Sequence, residues 1–274
     1  MNAIQPSSDR LSGSNIRHRG RAVAATFRRT VARFVIVIAF ALAVVSGSGC
    51  SQSPPPPPKP VIPLATELRV LQPGDNWVYK GEEEFRFNDT GKSVTLQVTR
   101  TVSVIQTTLD GKPFLATSSS GESIAPNGYK NVTSWLYYFT QDPKTRDVWE
   151  QADTRGKDGT LRTLAKPSRG LIGTWSANKT HTTEDSYSNG DQAKEVVAVT
   201  GTEEVETPFA RITCWKVTIT GTTTEDGKTS NFRQTVWIAP QLGRAVKGEY
   251  TSTSIDRTVT GKLLLMSTNV DPKD

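Results

Sequence analysis

Cysteine and histidine are scarce in this chain: two of each in 274 residues. The cysteines are Cys50 and Cys214, which is too few for a disulfide framework, so packing must stabilise the fold. Past the first fifty residues the only histidine is His181, which excludes a two-histidine metal centre and a histidine relay. Apolar runs are short as well. The longest, Phe34–Val45, holds twelve residues and spans about 18 Å as a helix, against the ~20 residues that a bilayer crossing needs. No Gly-x-Ser-x-Gly elbow occurs. Gly221–Thr229 looks like a phosphate loop, but it has one residue too many between its glycines and Glu225 and Asp226 where phosphates would lie; a hairpin turn is expected there.

Excess positive charge belongs to the N-terminus alone. Seven arginines and Asp9 precede Phe34; of 33 basic and 27 acidic residues in all, 26 of each then remain. The neutral remainder gives no reason to expect nucleic acid. Basic residues followed by an apolar run have the order of an export signal. Arg28-Arg29 allows a twin-arginine route, or the true start lies downstream of Met1; the strongly apolar run favours the ordinary secretory path.

Gly47-Ser48-Gly49 before Cys50 resembles the lipobox of bacterial lipoproteins, in which the cysteine is acylated and becomes the new N-terminus. Gly47 departs from the usual aliphatic residue at that place. The resemblance implies lipidation at Cys50. Ser51, in place of aspartate, resembles lipoproteins sorted to the outer membrane and facing the periplasm. Pro54–Pro63 would then be a stiff spacer of about 30 Å. The chain therefore reads as a signal peptide (1–49), a lipidated cysteine with a proline-rich linker (50–63) and one β-rich domain (64–274).

Within that domain Val94, Leu96, Val98, Val102 and Val104 alternate with Thr95, Gln97, Thr99, Thr101 and Ser103, and only Arg100 interrupts the apolar face. A period of two is useful to a half-buried antiparallel strand and useless to a helix. Trp77 with Tyr79, Trp135 with Tyr137 and Phe139, and Trp215 with Val217 and Ile219 repeat the pattern. Asp110-Gly111, Asn127-Gly128, Asp158-Gly159, Asn189-Gly190 and Asp226-Gly227 mark tight hairpins. Only Leu64–Leu71 has helical spacing, and Pro73-Gly74 stops it. The expected class is all-β: long antiparallel strands in a curved sheet or open barrel, with few or no helices. A closed barrel or a sandwich is the alternative.

Three segments, Pro73-Gly-Asp-Asn-Trp-Val-Tyr79, Val205–Val217 and Val236-Trp-Ile-Ala-Pro-Gln-Leu-Gly-Arg-Ala-Val-Lys247, resemble a group of bacterial envelope lipoproteins called TapB-like. Ala210 and Ile212 depart from the glycine and phenylalanine usual in the middle segment. The resemblance implies a curved antiparallel sheet like that of periplasmic lipoprotein carriers.

No catalytic constellation, metal site or cofactor motif emerges. Glu184, Asp185 and Asp191 near His181 do not have the spacing of a calcium loop. Glu82-Glu83-Glu84 alternate faces of a strand, and Cys214 reads as a structural thiol. The functional expectation is a membrane-anchored, non-enzymatic protein that holds an apolar ligand, such as a lipid or acyl chain, in a groove lined by Trp77, Tyr79 and Trp237. The alternative is an assembly partner that offers a strand edge or outer face to another envelope protein.

Overall fold

The structure, a computed structural model, describes residues 57–155 and 159–273. The expected signal peptide, Cys50, the first three residues of the proline spacer and Asp158 lie outside the described residues.

The domain is a meander of antiparallel strands: β2 (Asn76–Phe87), β3 (Ser93–Leu109), β4 (Lys112–Ile124), β5 (Lys130–Gln141), β6 (Val148–Asp153), β7 (Arg162–Leu171), β8 (Thr180–Ser186), β9 (Gln192–Glu206), β10 (Arg211–Glu225), β11 (Lys228–Ala239), β12 (Arg244–Thr253) and β13 (Arg257–Thr268). A short β1 (Val61–Ile62) runs parallel to the start of β10. From β2 to β13 sequential neighbours pair except β7 with β8, and β13 returns to pair with β2. The sheet thus nearly closes into a barrel, with one unsealed seam between β7 and β8. Across that seam there is one bridge, Leu164 to Tyr187, and the Ser188 N–H donates to the Thr163 carbonyl at 2.8 Å.

Sequence chemistry explains the curvature. Asp110 with Gly111 and Asp226 with Gly227 all take positive φ, which matches a two-residue turn to the twist of its strands. At Gly81 and Gly221 a β-carbon would collide with the carbonyl oxygens of Lys262 and Lys194 on neighbouring strands, so the sheet bends sharply where only glycine fits. Extra residues at Thr200, Val246 and Met266 break the register of three strands toward one end.

That end is capped. The chain before β2 runs across the ends of several strands. Leu68 N–H donates to the Gly173 carbonyl at 2.7 Å, and Arg69 N–H to Pro240 at 3.1 Å. Trp215 Nε1 donates to the Ala65 carbonyl at 2.8 Å. Leu68 is fully buried and Leu71 nearly so, each contributing about 1.5–3 kcal/mol. Leu64–Leu71, the one segment with helical spacing, forms no helix. Its apolar spacing serves instead to plug the barrel, and strand ends supply the backbone partners that a helix would have supplied itself.

At the other end the strands turn in hairpins such as Asp226-Gly227, and among the described residues no segment crosses it. The outer face around it carries Thr220, Arg233, Thr251, Thr260, Glu84 and Thr95 in paired positions on six consecutive strands. A transmembrane barrel turns an apolar band outward; a face built like this one belongs in water.

Candidate functional site

The inner wall is set by alternation. The even face of β3 points inward, with Val98, Val102 and Val104 buried and Leu96 half-buried. Pairing carries that face round the sheet. Glu83, on β2 opposite Leu96, pairs with Gly261, which pairs with Tyr250. The wall divides in two toward the open end. From β10 through β13 to β3 it is largely apolar, with Ile219, Phe232, Val259, Phe85, Val94 and Leu96, of which Val94 is 38% exposed. From β5 to β9 it carries Trp135, Tyr137, Glu150, Arg155, Asp185 and Glu195.

The charged half is ordered by rings and counter-ions. Arg100 lies over Trp135 at 5.2 Å, with a guanidinium nitrogen 3.7 Å from Glu83. Glu83 also accepts a hydrogen bond from the Tyr250 hydroxyl, which together with burial pushes that phenol's pKa up. Arg155 lies over Tyr137 at 5.3 Å and keeps 42% of its side chain accessible, as expected of a group on the wall of an open concavity. Glu150 is pushed up to about 7, chiefly because the interior desolvates it. Asp153, Asp185 and Glu195 push in the same direction and Arg155 opposes them. One Glu150 oxygen is buried without a hydrogen-bond partner. Glu195 is raised too, first by desolvation and then by Asp185.

Arg162 holds the seam beside this wall. It is 1% exposed, contacts both oxygens of Asp153 at 2.6 and 3.1 Å, and reaches Asp191, on the far side of the seam, at 2.6 Å. The Tyr187 ring lies 4.1 Å from its guanidinium.

The three rings expected to line a groove all belong to one cluster of buried residues. Trp77 is fully buried, its Nε1 donating to the Leu242 carbonyl at 2.9 Å. Tyr79, on the same inner face, donates to the Ala245 carbonyl at 2.8 Å, and burial pushes its pKa up to about 12. Trp237 is 3% exposed but pairs with Lys216 on the opposite face, under Lys247 at 4.1 Å. Cys214 is fully buried, its pKa pushed up to about 12 chiefly by burial. Of the three consecutive acids, Glu83 turns inward, while Glu82 sits outside beside Lys262 at 3.1 Å. Near His181, Glu184 is engaged by Lys194 at 2.6 Å and Asp191 by Arg162, so these oxygens do not gather round one point. Burial, then Arg169 and Lys179, hold the His181 pKa below its ordinary value.

No family model matches the chain, and neither does any curated protein. Similar solved structures include a protein named as exported, with a YmcC-like fold, from Bacteroides fragilis: 12% identity, 75% of this chain and 100% of that one, TM-score 0.37. Another, named as a lipoprotein, comes from Parabacteroides distasonis: 13% identity, 75% of this chain and 99% of that one, TM-score 0.37. A third is the hypothetical lipoprotein YmcC of Escherichia coli: 12% identity, 69% of this chain and 84% of that one, TM-score 0.28.

Glu83, Arg100, Glu150, Arg155 and Arg162 were not anticipated as a group. The one local signal was Arg100, the single break in an apolar face; Glu83 stands on the neighbouring β2, and Glu150, Arg155 and Arg162 come from β6, β7 and the link between them, which share a wall with these only once the sheet curls.

Proposed function

We propose that this chain is a lipid-anchored protein of the bacterial cell envelope that works by binding, and that the open end of its barrel takes an amphiphile. The divided inner wall is the observation that carries this reading. Phe85, Val94, Leu96 and Val259 offer a surface for an acyl chain, and Arg100, Arg155, Glu150 and Glu195 face them with partners for a polar head. Ligand sites of this kind combine an apolar wall with a few convergent polar groups. Trp77, Tyr79 and Trp237 belong to the packed core below the mouth. The described chain enters the domain at the capped end, where Arg211 N–H donates to the Pro60 carbonyl at 3.0 Å and Lys59 meets Glu206 at 2.8 Å.

The test is energy transfer from the protein's tryptophans to dansyl-labelled undecanoic acid, with the full-length acylated protein in nanodiscs and empty nanodiscs as the blank. A saturable signal is expected. Leu96→Asp is expected to weaken it about tenfold or more at an unchanged melting temperature. A signal that never saturates, or that is indifferent to Leu96→Asp, rejects the reading.

A further inference from the structure

We infer a second binding site, independent of the mouth: the free edge of β9 between Thr202 and Glu206 is built to receive an extended segment of another protein as an added strand. β8 accompanies β9 only as far as the Thr180–Ala198 pair, with Val199 N–H still donating to the Lys179 carbonyl. Beyond that point β9 pairs with β10 alone, to Glu206 opposite Arg211. Among the described residues no group hydrogen-bonds the outward N–H and C=O groups of Thr202–Glu206. Alongside lies an open hollow of about 400 Å³. Glu203, Glu204, Val205 and Glu206 all border it. Four consecutive residues line a hollow only when their strand stands edge-on to it, because a sheet face shows alternate residues. Its opposite side is Leu263 and Leu264, with Lys80, Lys247 and Lys262 about them.

The chemistry selects the occupant. Unpaired strand N–H and C=O groups are a template for another strand, and a lipid chain satisfies none of them. A second copy of this chain is disfavoured. Edge-to-edge pairing would set Glu204 and Glu206 of each copy against those of the other, and like charges facing across strands are destabilising. The inward face of an added strand would meet the leucines and lysines, so apolar and acidic residues fit it. Lys247 and Lys262 already hold Glu249 at 2.8 Å and Glu82 at 3.1 Å, which leaves the exposed Lys80 as the cation for an incoming carboxylate. The outward face would lie beside Glu204 and Glu206, which Arg211 and Lys59 already meet at 3.5 and 2.8 Å, so a polar residue suffices there. The partner is thus an extended segment of about five residues, apolar and acidic on alternate positions and polar between them.

A suitable probe is the blocked peptide Lys-Leu-Thr-Asp-Lys-Leu, titrated into the full-length protein and followed by calorimetry and by hydrogen exchange of the Thr202–Glu206 amides. Saturable binding with new protection confined to that edge is expected. Lys80→Glu, at an exposed position, is expected to weaken binding about tenfold. The peptide with lysine in place of aspartate should bind Lys80→Glu better than wild type. The inference is overturned if the peptide does not bind, if protection arises elsewhere, if Lys80→Glu has no effect, or if copies of the protein dimerise through this edge.

Discussion

Glu150 shows how one residue senses the interior. An unfolded glutamate titrates near 4.5 and this one is pushed up to about 7, so between those values the native state holds a proton that the unfolded chain has released. Stability from this group is full at the acid end, falls as pH rises through that window and is level above it; Glu195 acts in the same sense. The melting temperature should therefore fall between about pH 5 and about pH 8, and Glu150→Gln should flatten much of that slope. A wild-type protein more stable at the upper end would show that Glu150 is not desolvated. Cys214 makes a simpler prediction: with its thiol fully buried and its pKa pushed up, the native protein should resist thiol reagents at neutral pH and react once denatured. Rapid labelling of the folded protein would contradict the packing described around it.

The strands and hairpins were legible in the sequence because both signals are local: alternation on β3, and dipeptides such as Asp110-Gly111 and Asp226-Gly227 that tolerate positive φ. Leu64–Leu71 has helical spacing without a helix, because spacing alone does not separate a helix from an extended plug whose leucines dip into several strand ends. The charged half of the wall was illegible for a related reason, since Glu83, Arg100, Glu150 and Glu195 stand on four strands whose register no local pattern fixes. At the seam, Arg162→Ala would strand Asp153 and Asp191 in a buried setting. About 3–5 kcal/mol of stability should be lost. Chemical denaturation measures this, and faster amide exchange in β7 and β8 should accompany it. A loss below about 1 kcal/mol would mean that the seam holds without the arginine.

At the scale of the whole domain, the capped end carries most of the core and receives the chain at Lys59 and Pro60, and the mouth combines apolar and charged walls. Mass spectrometry of the mature protein should find acyl mass on Cys50, and Cys50→Ala should leave the protein unanchored or unprocessed. Two or more chains are expected, because one acyl chain alone gives only marginal binding. The most direct test of the account asks what the mouth holds: native mass spectrometry of the full-length protein released gently from its membrane, beside Leu96→Asp and Phe85→Asp. The account predicts a non-covalent, lipid-like mass on the wild type, beyond the anchor, that both variants lose while remaining folded. A wild type that carries only its covalent anchor, or an adduct that survives both substitutions, would contradict it.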